Sequence, residues 1–258
     1  MSNNLVIRGR LWLASDIHLG PDCPETARAF YSFLEHARDN ADALVLCGDI
    51  FEAWIGDDQA EHSPPAWLAQ ALHHLRLTAN HLPLWIGRGN RDFLMGSRLM
   101  QALGAHLLPD RVVIDTDAGP LLLSHGDDYC TDDRRYQQFR RWVRTPWVQR
   151  VFLALPLPLR RDIAARARAR SRQATHRKMA TLLDVNPDAV AKAFQDTAVQ
   201  WMVHGHTHRP ARHRHTVQGR ECTRIVLPDW DYDHAPTRGG WASVDTGGIT
   251  LHTYTSPG

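Results

Sequence analysis

Five short apolar runs in this chain each end on side chains able to hold a metal ion. That repetition limits the fold more than any other feature. Residues 10–14 alternate as a strand and lead into Asp16 and His18. Residues 43–47 lead into Gly48 and Asp49, and residues 83–87 into Gly89, Asn90, Arg91 and Asp92. Residues 121–124 run into His125, Gly126 and Asp127, and residues 201–204 into Gly205, His206, Thr207 and His208. Between them, residues 24–39, 65–79, 91–103 and 187–198 carry apolar side chains at helical spacing, Pro187 opening the last. The tail is β-rich at 224–227, 241–244 and 249–254. Strands alternating with helices predict an α/β (α+β) class. Ligands in such sheets gather outside the carboxyl ends of strands, so all five loops can converge on one crevice.

The count of donors then becomes meaningful. Asp16, His18, Asp49, Asn90, His125, His206 and His208 are seven, enough for two ions with four ligands each if one residue is shared. A carboxylate has two oxygens and suits the bridge, and Asp49 stands alone on its loop between the Asp16/His18 pair and Asn90. One ion would take Asp16, His18, Asp49 and His208; the other Asp49, Asn90, His125 and His206. In extended backbone, residues i and i+2 point the same way, which predicts that Asp16/His18 and His206/His208 each address one site. Imidazole mixed with carboxylate and amide oxygen, without thiolate, suits Mn2+, Fe or Zn2+ better than structural zinc. Taken singly, each piece has an ordinary reading. Asp16 with His18 is surface chemistry, Gly48-Asp49 a turn, and His125 a satisfied core histidine. His206 and His208, in a tract with His204, His213 and His215, form an exposed basic turn. The conjunction, each piece after a strand, favours the dinuclear reading.

Composition sets the outer limits. The 258 residues are 43% apolar and 22% charged, which fits a folded chain read as a single domain over 1–258. No apolar run reaches the ~18–20 residues that span a bilayer, and no signal peptide is expected. Four scattered cysteines without a C-x-x-C pair are expected to be free thiols. The net charge of +2 hides an asymmetry: from Arg134 to Lys178 there are 14 Lys+Arg and one acid, Asp162, while the remainder holds 16 bases and 27 acids. The spacing from His125 to His206 is 81 residues, against 33, 41 and 35 for the earlier gaps. Residues 134–180 are therefore expected to form an inserted helical cap whose bases meet an anion. Its apolar run over 151–159 is too short to span a membrane and is expected to meet protein or acyl chains.

The order D-x-H, G-D, G-N, H, G-H-x-H resembles the calcineurin-like metallophosphoesterase superfamily. The resemblance implies a four-layer αββα sandwich, two divalent ions sharing an aspartate, Mn2+ foremost, and hydrolysis of a phosphate ester or anhydride. Residues 51–58, 89–93, 125–133 and 204–210, with Arg170-Ser171 and residues 184–186 inside the insertion, resemble the branch acting on UDP-diacylglucosamine in lipid A biosynthesis. Likeness to that branch implies cleavage of the diphosphate of UDP-2,3-diacylglucosamine by metal-activated water, giving UMP and 2,3-diacylglucosamine 1-phosphate. The protein would then be a monomeric peripheral enzyme at an anionic surface, the cytoplasmic face of the inner membrane, with no nucleic acid partner. Asn90, Arg91 and His206 take catalytic roles. Substrate contacts fall on Asn90, Arg91, Asp133, Ser171, Thr175, Lys178 and His206, with Tyr136 as an addition; Thr175 stands where relatives carry Asn.

Many superfamily members place a histidine, a proposed proton donor, where this chain has Arg91. A guanidinium donates no proton at neutral pH. The leaving group must then depart unprotonated, as a sugar phosphate does with its second pKa near ~6. Arg91 thus reads as an electrostatic clamp on phosphoryl oxygens, or, more plainly, as a surface ion pair with Asp92. Two rivals remain in view. A nuclease or nucleotide phosphodiesterase of the same superfamily would lay a polyanion on the basic block, with Trp142 and Trp147 as stacking platforms. A non-catalytic scaffold would be expected to have lost donors, and all seven are present.

Overall fold

A computed structural model describes residues 5–61, 63–177 and 184–255, with only the backbone over 172–177. Its strands are β1 (Leu5–Val6), β2 (Leu11–Ala14), β3 (Ala43–Leu46), β4 (Leu84–Ile86), β5 (His106–Leu107), β6 (Arg111–Thr116), β7 (Gly119–Ser124), β8 (Trp201–His204), β9 (Ala211–Val217), β10 (Arg220–Val226), β11 (Gly240–Asp245) and β12 (Gly248–Thr253). Its helices are α1 (Pro24–Asn40), α2 (Ala66–His81), α3 (Ser97–Leu103), α4 (Arg134–Val143), α5 (Pro146–Leu153), α6 (Leu157–Arg177) and α7 (Pro187–Thr197). The strands form two six-stranded sheets, one ordered β12-β11-β2-β3-β4-β5 and the other β1-β6-β7-β8-β10-β9. From β2 to β5 the first sheet is parallel, and β7, β8 and β10 are parallel in the second.

Pleating explains the layers, because successive side chains leave a strand on opposite faces. In β2, Leu11 and Leu13 enter the core between the sheets, while Trp12 and Ala14 join the core under the helices. In β3, Ala43 and Val45 face the inter-sheet core and Leu44 and Leu46 the helices. On the other sheet, Leu121 and Leu123 meet Val203 and Ile225 inside, and Leu122 and Met202 meet Val190 and Phe194 of α7 outside. With both faces covered, strands read as unbroken apolar runs. Helix α1 buries Ala29, Phe30, Phe33, Leu34 and Ala37 along one stripe. The result is the four-layer αββα arrangement. The tail is integral to it, since β11 pairs with β2 and Trp241 packs against Trp12 and Phe33.

Two local expectations are corrected. The helix expected over 91–103 begins only at Ser97. Asp92 explains the delay: its buried carboxylate accepts from the N–H groups of Gly89 and Ile50, holding residues 89–92 as a turn. Strand β9 was not expected at all. Arg212, His213, Arg214 and His215 supply no apolar alternation, yet the segment pairs in full antiparallel register with β10 at the sheet edge. Helix α7 starts where Pro187 predicts, with the Asn186 side chain accepting from the N–H groups of Asp188 and Ala189.

Helices α4, α5 and α6 lie between the short 3-10 turn at residues 127–129 and α7 in the chain. Their base is tied to the sandwich by Arg160, which is 2% exposed. It donates to the carbonyls of Ile55 (2.6 Å) and Leu155 (2.9 Å) and pairs with Asp58. Phe139, Trp142, Trp147, Val151, Leu153, Leu159 and Ile163 of these helices are exposed. None of the four cysteines is joined in a disulfide. Among the described residues no helix is long and apolar enough to cross a membrane.

Candidate metal centre

The loops after β2, β3, β4, β7 and β8 meet where the two sheets join. Backbone bonds hold them side by side: Asp16 N–H donates to Gly48 O, His18 N–H to Asp49 O, and Gly205 N–H to His125 O. Among the bonds that cross between the sheets is that from His206 N–H to Asp16 Oδ2 at 2.9 Å. Two glycines permit this closeness. A Cβ on Gly89 would stand 2.1 Å from Asp49 Oδ1, and one on Gly205 2.1 Å from Asp16 Oδ2. The backbone is not extended at the donors, so the expected i, i+2 pairing holds for Asp16/His18 and fails for His206/His208. Asp16, His18, Asp49, His206 and His208 have φ between 53° and 66°, the left-handed region. Each such residue costs on the order of 1 kcal/mol or more, and such strain gathers at functional sites. Asp16 and His18 still address one group, but His206 and His208 part: His208 faces His18, while His206 lies beside His125.

Five of the seven sequence-derived donors fall into two groups that overlap at Asp16. Asp16, His18 and His208 bring ligand atoms within 4.8 Å of one another, as do Asp16, Asp49 and His125. His18 Nε2 lies 3.3 Å from His208 Nε2, and Asp16 Oδ1 lies 3.4 Å from His208 Nε2. Asp49 Oδ2 is 4.0 Å from His18 Nδ1 and 3.6 Å from His125 Nε2, so it stands between the groups. Asn90 Oδ1 is 3.1 Å from His125 Nε2. The His206 ring centre is 5.2 Å from that of His125.

Hydrogen-bond accounting tests whether a cation fits. His125 Nδ1 sits 3.2 Å from the carbonyl of Cys47, which can only accept. Nδ1 therefore carries a proton, and in the neutral ring the lone pair of Nε2 faces Asn90 Oδ1 and Asp49 Oδ2, three acceptors converging. Asp16 Oδ1 and His18 Nδ1 are buried without a hydrogen-bond partner. Such groups are costly unless paired or coordinated, and a divalent ion satisfies them. The charge balance divides the histidines: against burial, Asp49 and Asp16 push His125 up and Asp16 and Asp229 push His208 up to about 10, while the other two go down. Burial holds His18 well below its usual pKa, with Arg91 adding, and brings His206 down to about 4, with His125 adding. Both are neutral imidazoles, the form that binds metal. Burial pushes Asp49 up to about 7 against the pull of His125. A nearby cation reverses that push.

Arg91 sits at the rim. Its backbone N–H donates to Asp49 Oδ1 (2.8 Å), its Nε lies 3.6 Å from Asp49 Oδ2, and its Nη1 pairs with Glu52. The alternative ion pair with Asp92 is thus corrected: Asp92 is fully buried on backbone amides, and Glu52 is the partner. The Tyr136 ring lies 6.2 Å over His206, and its hydroxyl donates to Asp127 (2.8 Å). Asp133 caps α4, accepting from Tyr136 N–H. Ser171 is exposed on α6. The side chain of Thr175 and all of Lys178 lie outside the described residues.

Sequence reasoning missed the buried acids that hold this cluster. Asp127 (2% exposed) receives Arg140 Nε at 2.7 Å and Tyr136, fastening α4 beside His206. Despite burial, His125 and Arg140 hold its carboxyl well below the usual range. Glu52, close to both His18 and Arg91, and Asp229, beside His208, were also missed. Asp127 and Glu52 stood inside motifs already singled out; Asp229 had no such signal.

Comparison with known proteins extends the geometry. A "UDP-2,3-diacylglucosamine hydrolase" of Bordetella pertussis is 55% identical over 248 residues, covering 96% of each chain. Proteins of the same name from Cellvibrio japonicus and Enterobacter sp. are 44% and 41% identical, covering 93% and 92% of this chain and 97% and 95% of theirs. The sequence model for calcineurin-like phosphoesterases matches residues 9–210, a span that runs through all five converging loops. The chain belongs to the calcineurin-like phosphoesterase family.

Proposed function

We propose that this chain is a divalent-metal-dependent hydrolase that cleaves the diphosphate of UDP-2,3-diacylglucosamine to UMP and 2,3-diacylglucosamine 1-phosphate. The observation that carries the reading is the convergence of unpartnered acceptors at the strand ends, in a chain 55% identical to a protein of that activity by name. Asp16, His18, Asp49 and His208 are assigned to one ion and Asp49, Asn90, His125 and His206 to the other. Oxygen and imidazole donors without thiolate favour Mn2+. When bound, the ions polarise phosphoryl oxygens and make water a better nucleophile near neutral pH.

The chain's own residues do the rest. Asp49 would help hold both ions, and its Oδ1 is fixed by Arg91 N–H. Glu52 orients the Arg91 guanidinium, whose remaining N–H groups are available to non-bridging oxygens of the diphosphate. Asn90 positions the same group, and His206, uncharged through burial, serves as a hydrogen-bonding partner rather than an acid. No proton donor is required, because a sugar 1-phosphate leaves as an anion. Asp133, Tyr136, Ser171, Thr175 and Lys178 are assigned to the substrate.

Helices α4–α6, within one domain spanning the chain, are assigned as the cap, with residues 134–180 receiving the lipid. Trp147 and Val151 are each 60% exposed among arginines, a combination suited to acyl chains beside an anionic membrane face. The same exposed Trp142 and Trp147 are what a single-stranded nucleic acid would stack on, which makes it the necessary control. The decisive experiment supplies Mn2+ and compares a UDP-diacylglucosamine, a single-stranded DNA and a cyclic nucleotide. Release of UMP from the first alone is expected; preferential turnover of DNA overturns the assignment.

A further inference from the structure

We propose that Asp229 is a positioning residue for His208, holding its ring so that Nε2 is presented to the ion it shares with Asp16 and His18. The proposal rests on the reading of His208 as a ligand. Asp229 and Arg238 lie beyond residue 210, where the family match ends.

The segment leaving β10 is stapled across the cluster. Leu227 N–H donates to His204 O (2.7 Å) and Trp230 N–H to Asp16 O (3.0 Å), so it is tied to both sheets at the strand ends. Asp231 and Arg238 exchange two backbone bonds, closing the loop between them. Between these ties Asp229 is 3% exposed. Its Oδ2 is 3.3 Å from His208 Nδ1 and accepts from Arg238 Nε at 2.9 Å and Nη2 at 2.8 Å.

A carboxylate so placed accepts from Nδ1–H, and in the neutral ring that leaves the lone pair of Nε2 to the ion. Nε2 is the atom that faces His18 Nε2 and Asp16 Oδ1. His208 needs such a hold. Its side chain is 34% exposed, against 15% for His18 and 1% for His125, and its backbone is left-handed. His125 has its Nδ1 proton fixed by a neutral carbonyl, whereas His208 leans on a carboxylate that also raises the basicity of the ring. Arg238 orients that carboxylate through its Nε and Nη2.

The test titrates Mn2+ into the full-length metal-free protein by calorimetry and counts bound metal after dialysis. Variants are His208→Ala, Asp229→Ala, Asp229→Asn and Arg238→Ala. His208→Ala should lose tight binding of one ion. Asp229→Ala should weaken one of the two sites by about 10–100-fold, the range for removing a hydrogen-bond partner of a ligating histidine. Asp229→Asn and Arg238→Ala should show smaller losses, Asn because a neutral amide still accepts from Nδ1. A merely structural role would lower the melting temperature of the metal-free protein and leave the affinity of the folded fraction alone. Should Asp229→Ala fail to fold, the isosteric Asn variant carries the test at a loss of about tenfold. Wild-type affinity in the folded Asp229 variants, beside lost binding in His208→Ala, overturns the proposal and leaves the ligand reading standing. Wild-type affinity in His208→Ala overturns the ligand reading and the proposal together.

Discussion

At the strand ends, Asp16, Asp49, Asp92 and Asp127 are buried; on α4–α6, Trp142, Trp147, Val151 and Leu159 are exposed. The two regions invert the usual distribution of side chains in opposite senses. Acids gathered in the interior oppose folding unless a cation or a donor meets each of them. Apolar groups facing water oppose solubility unless something covers them. Asp92 and Asp127 find their donors within the fold, in backbone N–H groups and in Arg140 and Tyr136, whereas Asp16 keeps an oxygen without a hydrogen-bond partner and the exposed apolar groups keep no cover. The proposed function accounts for these last two, with charge at the strand ends and apolar matter on the helices. Arg160, Arg140 and Tyr136 join the two regions, binding the helices to Asp58 and Asp127.

The comparison is most easily broken at Asp49. Asp49→Asn keeps the size but removes the charge between the two donor groups, and turnover should fall by at least about a thousandfold with circular dichroism unchanged, a loss comparable to the larger single-residue effects in catalysis. Full activity in that variant, or after exhaustive chelation, would refute a two-ion centre. Next is Arg91→Ala, expected to cost about 2–4 kcal/mol in kcat if the guanidinium acts on developing charge. Arg91→Lys should recover only part, since a point charge does not copy a planar fork.

On the helical side, the half-buried Phe152 and Leu155 are ambiguous probes, because polar substitutions there also disturb packing. Val151→Ser with Leu159→Ser is cleaner, both side chains being exposed. KM for a long-chain substrate should rise by roughly tenfold, a fraction of the ~1.5–3 kcal/mol that full burial of each side chain supplies. Hydrolysis of a soluble phosphodiester should stay level. Equal losses on both substrates would dissolve the distinction between the regions.

The smallest effect concerns their junction. The hydrogen bond from Arg160 lowers the pKa of Asp58. A lowered folded-state pKa gives stability that is present above the ordinary carboxylate pKa and is lost as pH falls through the folded value. Amide protection factors in α6, corrected for the intrinsic pH dependence of exchange, should therefore fall on acidification below about pH 4, and Asp58→Asn should flatten that dependence while protection in α1 is unaffected.

Much of this was legible in the sequence because apolar runs and the residues closing them are local signals. The five strands and their loops needed no distant information. The left-handed backbone at Asp16, His18, Asp49, His206 and His208 was not legible, since aspartate and histidine do not announce that conformation as glycine does. Asp92 acts through backbone N–H groups of residues 50 and 89, and the grip of Asp229 on His208 spans 21 positions and two loops, so no spacing rule reaches either. The β9 strand was invisible for a different reason: its pairing with β10 is made by backbone, while its side chains alternate among arginine, histidine and threonine.

That polar alternation on β9 has a consequence for how the protein behaves when concentrated. A seven-residue strand at a sheet edge offers a row of unsatisfied amides and carbonyls to any other extended chain. Arg212 and Arg214 set like charges along this edge, and an identical strand approaching it would have to bring its own arginines against them. Fibrillar self-association should find no seed there. The same residues that hid the strand from pattern reading keep it from recruiting copies of itself.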